Sequence, residues 1–408
     1  MDSGSLTWVL VSAALVLFMT PGLAFFYGGM DRSRNVLNML MMNFYCILIV
    51  PVLWMAVGYS LAQGGTGDFI GYFDFLFLKD IGILEDNGGQ IATIAFLGMF
   101  ACITPALISG AVADRMKFSA WALFVPAWLL LVFVPVFKWI YGGWLGDRGS
   151  LDFAGGTVVH INAGIAGLVC AIVLGKRLGL GKEVLAPHNL PFAMIGACLL
   201  WVGWFGFNAG SNLEANGLTA QVIFNTILAA SAAALSWTAG EWVTRGHPSL
   251  LGAVTGAVAG LVAITPACGW VSPTAALIIG LLSGIICLWA VVWLKAKLGY
   301  DDALDVFGVH GIGGILGALL TGYFVNPGIG GVGVTDYLAT DTSVKALEYS
   351  FSAQMTAQIF GVLTAIILSA VVSYVALMIC KYTTGLRVEE AEEREGLDIG
   401  SHGERAYS

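Results

Sequence analysis

Apolar residues fall into eleven long runs along the chain, at roughly 5–28, 37–62, 91–112, 119–141, 155–175, 191–209, 217–239, 249–264, 273–294, 303–324 and 348–380. About 20 apolar residues in a helix cross a hydrocarbon core of about 30 Å. The polar connections are short, apart from a Gly/Asp-rich segment at 63–90 and a second segment at 325–347. The pattern predicts an all-α polytopic membrane protein with eleven transmembrane helices.

Composition agrees with that pattern. The 408 residues are 58% hydrophobic and 11% charged, against about 25% charged in a soluble domain. Mean hydropathy is +0.85. Glycine accounts for 54 residues, nearly twice the usual share of about 7%; in a membrane such an excess lets helix backbones approach closely. The net charge is −8 and most acids lie in loops and the tail, so no basic nucleic-acid surface is expected. The seven cysteines, Cys46, Cys102, Cys170, Cys198, Cys268, Cys287 and Cys380, form no CxxC pair and read as small reduced core residues. The start "MDSGSLTW" lacks a basic region, so no cleavable signal peptide is expected.

Basic residues set the orientation. If the eleven runs alternate, 14 of the 18 Lys and Arg lie on one side and only Lys79, Lys138, Arg148 and Lys345 on the other. The positive-inside rule then places the N-terminus outside and the C-terminus in the cytoplasm. Spans five and ten carry similar segments, "DFAGGTVVHINAG" and "DVFGVHGIGG", and run in opposite directions. That parity suits a five-plus-five inverted repeat with an extra helix. The expected organisation is a transport domain over 1–380, with pseudo-repeat halves about 1–178 and 188–325 and span eleven at 348–380, followed by a cytoplasmic tail at 381–408.

Of the five histidines, only His160 and His310 fall within spans. Ionisable residues there often mark a pathway. Three readings stand: packing histidines bonded to carbonyls, a metal pair, or a pathway lined by neutral imidazoles. Neither histidine has Asp, Glu, Cys or a second His three or four residues away, so a third ligand on the same helix face is missing and no metal is expected. Asp152 and Asp305 precede the two histidines and read as helix caps. Phenylalanines stand among small residues at Phe96 and Phe100, and again at Phe205 and Phe207. Ser211 can share a helix face with Phe207 and Trp204. Its hydroxyl either meets a small cation beside aromatic rings or caps its own helix. Thr265 reads as a backbone-bonded threonine before Pro266.

Eight blocks carry a family resemblance: "FFYGGMDRSRNVLNM", "DFAGGTVVHINAGIAGLV", "GKRLGLGKE", "PHNLPF", "GWFGFNAGS", "PSLLGAVTGAVAGLVAITPACGW", "DVFGVHGIGGILG" and "GLRVEEAEEREGLDIGSHGERAY". From span one through the tail they resemble the ammonium transporter (Amt/Mep/Rh) family, in particular its bacterial-type Amt branch. The resemblance implies a homotrimer in the cell (plasma or inner) membrane with one pore per subunit and ammonium or ammonia as substrate. It implies neither enzyme activity nor a cofactor. Phe100 and Phe207 match the family's phenylalanine gate, and His160 and His310 its twin pore histidines. Ser211 matches the outer recruitment site, with Phe96 beside it. Asp152 matches an acidic position near the outer mouth, there credited mainly with structure. Trp204 and Thr265 flank the expected path. The family usually has Trp before the glycines that end span four; this chain reads "KWIYGGWL", so Tyr141 takes that place, with Trp144 as the rival. The tail, with seven acids and four bases, is expected to dock a PII-type signalling protein at the cytoplasmic face. An ammonium sensor with little flux is the alternative function.

Overall fold

A computed structural model describes residues 1–82, 88–334 and 349–407. Eleven membrane helices follow in chain order: α1 Ser3–Met30, α2 Val36–Gln63, α3 Gly89–Val112, α4 Phe118–Asp147, α5 Gly156–Leu174, α6 Leu190–Gly210, α7 Gly217–Arg245, α8 Leu250–Ile264, α9 Pro273–Leu298, α10 Phe307–Phe324 and α11 Phe351–Thr383. Ten are long and apolar enough to cross a bilayer, and α8 is the shorter one. At 15 residues it spans about 22 Å, and the chain turns at Thr265–Trp270 where Pro266 withholds its N–H. The described residues contain no strand, only an isolated bridge between Met116 and Arg387. The expected all-helical, eleven-span architecture is what the chain adopts. Residue 348 of the predicted eleventh span, and parts of both predicted long connections, lie outside the described residues.

Several helices begin on polar caps that sequence marks. Asp2 accepts the Gly4 and Ser5 N–H groups, Asn216 forms a capping box with Thr219, and Ser249 and Ser272 cap α8 and α9. Prolines inside spans loosen the helix. A π-helical turn, Trp54–Gly58, follows Pro51, and another, Leu129–Phe133, follows Pro126.

Small residues set the closest crossings. A Cβ on Gly29 would lie 2.4 Å from Ala193 N, and one on Gly196 would lie 2.2 Å from Phe26 N, so α1 and α6 lie backbone to backbone. At the centre, a Cβ on Gly164 of α5 would lie 2.2 Å from Gly311 N of α10. Helix α11 packs along α5, α10 and α4. Its Ser369 hydroxyl donates to Asn162 O at 2.8 Å, and Gln358 bonds Leu151 and Ala318.

Beyond α11 the tail forms α12 Glu390–Glu395 and α13 Leu397–His402, with Gly396 between them at φ +113°. It lies on the ends of α2, α3 and α5. Arg387 pairs with Glu393 at 2.8 Å and donates to Leu174 O. Asp398 accepts the Asn38 N–H, Asn35 accepts the Leu397 N–H, and His402 Nε2 meets Asn38 Oδ1 at 2.9 Å. Beneath it lies a buried charge network. Asp114 pairs with Arg32 and Arg177, Arg177 pairs with Asp301, and Arg115 donates to the carbonyls of Ala113, Gly175 and Asp301.

Candidate functional site

The centre of the molecule is built from two broken helix starts. At the first, Gly155 at φ +104° turns the chain into a π-helical turn, Gly156–Ile161, at the beginning of α5. Only glycine adopts such a φ without strain. Asp152 closes this start. Its Oδ1 accepts the N–H groups of Gly155 and Gly156 at 2.8 and 2.7 Å, and its Oδ2 those of Thr157 and Val158 at 2.7 and 3.1 Å. Burial pushes this carboxyl above its usual range, and the four N–H groups pull it back. Both oxygens are used within the cap, which matches the capping reading of Asp152.

The second start, the π-helical turn Phe307–Gly311 of α10, is closed by a different residue from the one expected. Asp302 accepts the Phe307 N–H at 2.7 Å, whereas Asp305, at φ +63°, turns aside to pair with Lys295. The reason is geometric. A positive φ at Asp305 swings its side chain away from the helix axis, and a residue three positions earlier reaches the free N–H groups. The sequence carries a parallel that does not by itself select the residue: Asp302 stands eight residues before His310, as Asp152 stands eight before His160. Burial, against the pull of Lys295, pushes the Asp302 carboxyl up to about 6.

These two starts bring His160 and His310 together. Both are buried, at 1% and 3% exposure. Their Nδ1 atoms lie 3.2 Å apart and their ring planes 23° from parallel. One Nδ1 therefore donates to the other. A neutral pair then has one ring with a bare Nε2 and one with an Nε2–H. The Nε2 of His160 is buried and makes no hydrogen bond among the described residues.

Toward the face away from the tail, Phe207 lies against His160, with centroids 5.8 Å apart, and stacks on Phe100 at 4.1 Å and 22°. Phe96 meets Phe100 edge-on at 4.9 Å. Beyond them opens a cavity of about 260 Å³ whose lining includes Phe96, Phe100, Phe137, Tyr141, Phe153 and Ser211. The Ser211 hydroxyl donates to Phe207 O at 2.8 Å, so this residue both bonds its own helix end and lines the cavity. Tyr141 is on the wall. Trp144 is not; it packs among Phe69, Trp139 and Phe360. Trp204 is also elsewhere than beside Ser211. It stacks on His160 at 5.3 Å and donates to Thr265 Oγ1 at 2.9 Å. Thr265 in turn bonds Leu261 O, as its backbone reading required, and also Asn208. Phe137 and Phe153 line the cavity without any mark in the sequence, since apolar residues are common in every span.

A bundle of membrane helices around an aromatic cavity, a ring stack and a buried imidazole pair defines a membrane transport protein. The chain belongs to the Ammonium Transporter Family, whose profile matches residues 7–407, and its members are transporters, not enzymes. It is 47% identical over 417 residues to the ammonium transporter of Aquifex aeolicus, covering 100% of this chain and 94% of that one. It is 44% identical over 414 residues to the ammonium transporter of Bacillus subtilis, covering 100% and 99%. Among solved structures it resembles a sensor Amt protein, with a TM-score of 0.89, 28% identity and 98% of both chains covered. It also resembles Mep2 of Candida albicans, with a TM-score of 0.86, 32% identity, and 96% and 88% covered.

Proposed function

We propose that this chain is an ammonium transporter that conducts ammonia, working as a homotrimer in the cell membrane with its N-terminus outside and its tail in the cytoplasm. The single observation that carries the reading is the imidazole pair, Nδ1 to Nδ1 at 3.2 Å, lying behind an aromatic cavity.

Ammonium gathers in the cavity beside Ser211, Phe96 and Tyr141. Ring faces attract a desolvated cation by about 2 kcal/mol or more. Tyr141, on the wall, completes this site in preference to Trp144. Going further as a cation is costly. A charge at mid-bilayer costs about 2.5–3.5 kcal/mol on insertion scales and over about 10 in simulations. Opening a ring stack costs about 0.5–1.5 kcal/mol. The charge, not the Phe100–Phe207 gate, is therefore the larger barrier, and shedding the proton removes it. Ammonia then passes the gate and finds one acceptor and one donor on the histidine pair, with no buried net charge. Potassium has no proton to shed and is excluded. The same nitrogens offer the released proton a separate route: one is taken up at the bare Nε2, the shared proton shifts between the Nδ1 atoms, and one leaves from the far Nε2–H. The docked tail provides the face for a PII-type signalling protein. The two halves, about 1–178 and 188–325, supply one histidine each.

The test is uptake of labelled methylammonium into proteoliposomes, with and without competing ammonium. Uptake above empty liposomes, suppressed by ammonium, is expected. Binding of ammonium without uptake would overturn conduction in favour of the sensor reading, which the likeness to the solved sensor Amt protein supports.

A further inference from the structure

His160 and His310 share one hydrogen bond but not one environment. The His160 ring lies against the indole face of Trp204, with centroids 5.3 Å apart and planes 19° from parallel, and meets Phe207 at 5.8 Å. The His310 ring has a ring contact only with His160 among the described residues. Neither imidazole bonds a carboxylate there. A charge on this pair therefore has no counter-ion, and ring faces are what remains to stabilise it.

The indole is held for this position. Its N–H donates to Thr265 Oγ1 at 2.9 Å. Thr265 has one proton and two acceptors within reach, Leu261 O at 2.7 Å and Asn208 Oδ1 at 3.2 Å. Asn208 is fixed in turn by its Nδ2, which donates to Thr226 Oγ1 at 3.1 Å, and Thr226 closes the chain on Val222 O at 2.7 Å. Trp204, Asn208, Thr226 and Thr265 are all buried. A hydrogen-bonded chain across α6, α7 and the end of α8 thus sets the angle of one indole.

We infer that Trp204 is the positioning residue that stabilises the charged form of His160 while a proton crosses the histidine pair. This role rests on the proton route proposed above. An arriving proton binds the bare Nε2 of His160 and makes that ring an imidazolium with an N–H at each nitrogen. The cation then lies within about 6 Å of the Trp204 ring centroid, the range of a cation–π contact, and tryptophan offers the strongest such face. When desolvated, the contact is worth about thirtyfold in an equilibrium constant. The Nδ1 proton next passes to Nδ1 of His310, His160 returns to neutral, and His310 releases its own Nε2 proton on the far side. One proton enters for each that leaves, and one positive charge crosses. The charge rests on His160, and His310 carries it only in transit.

The experiment expresses the full-length chain in oocytes and reads methylammonium-evoked current and uptake of labelled methylammonium on the same cells. Their ratio does not depend on the amount of protein. Site-specific replacement of Trp204 by tryptophan carrying one, two and then three fluorines keeps the ring in place and weakens its negative face step by step. The current-to-uptake ratio is expected to fall with each fluorine, to about a tenth at three. Trp204→Leu should lower the ratio about tenfold and Trp204→Phe less, because a weaker face remains. Thr265→Val, which leaves the indole N–H without its acceptor, should lower it about threefold, the value of one weak hydrogen bond. A ratio independent of fluorine number overturns the role and makes Trp204 a packing residue, even where Trp204→Leu lowers both readouts. Uptake without current in the unmodified protein overturns the proton route and this role together, and leaves conduction of ammonia standing. No uptake at all overturns the transport reading itself, and this role with it.

Discussion

The starts of α5 and α10 carry the same parts in different surroundings. In each, a buried aspartate stands eight residues before a histidine, and that histidine lies within a π-helical turn. At α5 the Asp152 carboxylate is enclosed by four backbone N–H groups. At α10 the Asp302 carboxylate holds Phe307, while its Oδ1 has no hydrogen-bond partner among the described residues. Near it stands the Lys295–Asp305 ion pair, and Asp301, next in sequence, is held by Arg177. One start is completed by its own backbone. The other depends on side chains from the charged, tail-side face. A near-symmetric histidine pair thus sits in an asymmetric frame.

The largest test of this difference removes the caps. Asp152→Ala leaves four N–H groups without an acceptor. Hydrogen bonds to a charged group contribute about 1.5–3 kcal/mol each, so a loss of several kcal/mol is expected, seen as a large fall in melting temperature or as failure to accumulate. Asp302→Ala should cost less. Equal losses would break the comparison.

Next is the crossing between the two helices. Gly164→Ala places a methyl 2.2 Å from Gly311 N, a backbone atom that yields only if α10 moves. Overpacking of this kind costs about 1–3 kcal/mol. It should also part the imidazoles, so methylammonium uptake is expected to fall by more than the melting temperature suggests. Unaltered uptake would show that the 3.2 Å contact does not matter to conduction.

The histidines sharpen the same contrast. His160 packs against both Trp204 and Phe207, while His310 has a ring contact only with His160 among the described residues. His160→Ala should therefore disturb the Phe100–Phe207 stack as well as the pair, and lower uptake or potassium exclusion about tenfold, the value of one hydrogen bond of about 1.4 kcal/mol. His310→Ala should have the smaller effect.

Acid titration is weaker still. The Asp302 carboxyl is pushed up to about 6, against about 3.9 in an unfolded chain. Between these values the folded protein binds a proton that the unfolded chain does not. The contribution is full below about pH 4 and is lost as pH rises through about 6. Asp302→Asn should flatten that slope in melting temperature, and a retained slope would remove Asp302 as its source. The smallest effect belongs to the tail. Burial pushes the His402 ring below its usual value, against Asp398, Glu404 and Glu392. Its contribution to docking is present above about pH 6.5 and is lost as pH falls, so the protection of α13 amides, taken relative to the unstructured exchange rate at each pH, should drop on acidification, and less so in His402→Asn.

The spans were legible in the sequence because hydrocarbon tolerates few charges, and eleven apolar runs leave little choice of element. The histidines were legible for the same reason: an imidazole in a span is rare enough to stand out. Trp144 against Tyr141, and Asp305 against Asp302, were not. In each pair both residues have suitable chemistry, and only the bend of the chain, after Ile140 in one case and at the positive φ of Asp305 in the other, selects which one reaches the site.

The sequence by itself determined the all-helical class, the eleven spans, the positions of the two histidines within spans and the asymmetric charge along the chain, since each is a local property of residues against a bilayer. Tertiary structure alone decided that His160 and His310 touch, which aspartate caps α10, which aromatic lines the outer cavity and where the tail lies. Those outcomes rest on contacts between residues far apart in the chain. They are set by how closely backbones pass at glycines such as Gly164 and Gly311, a distance that no local pattern encodes.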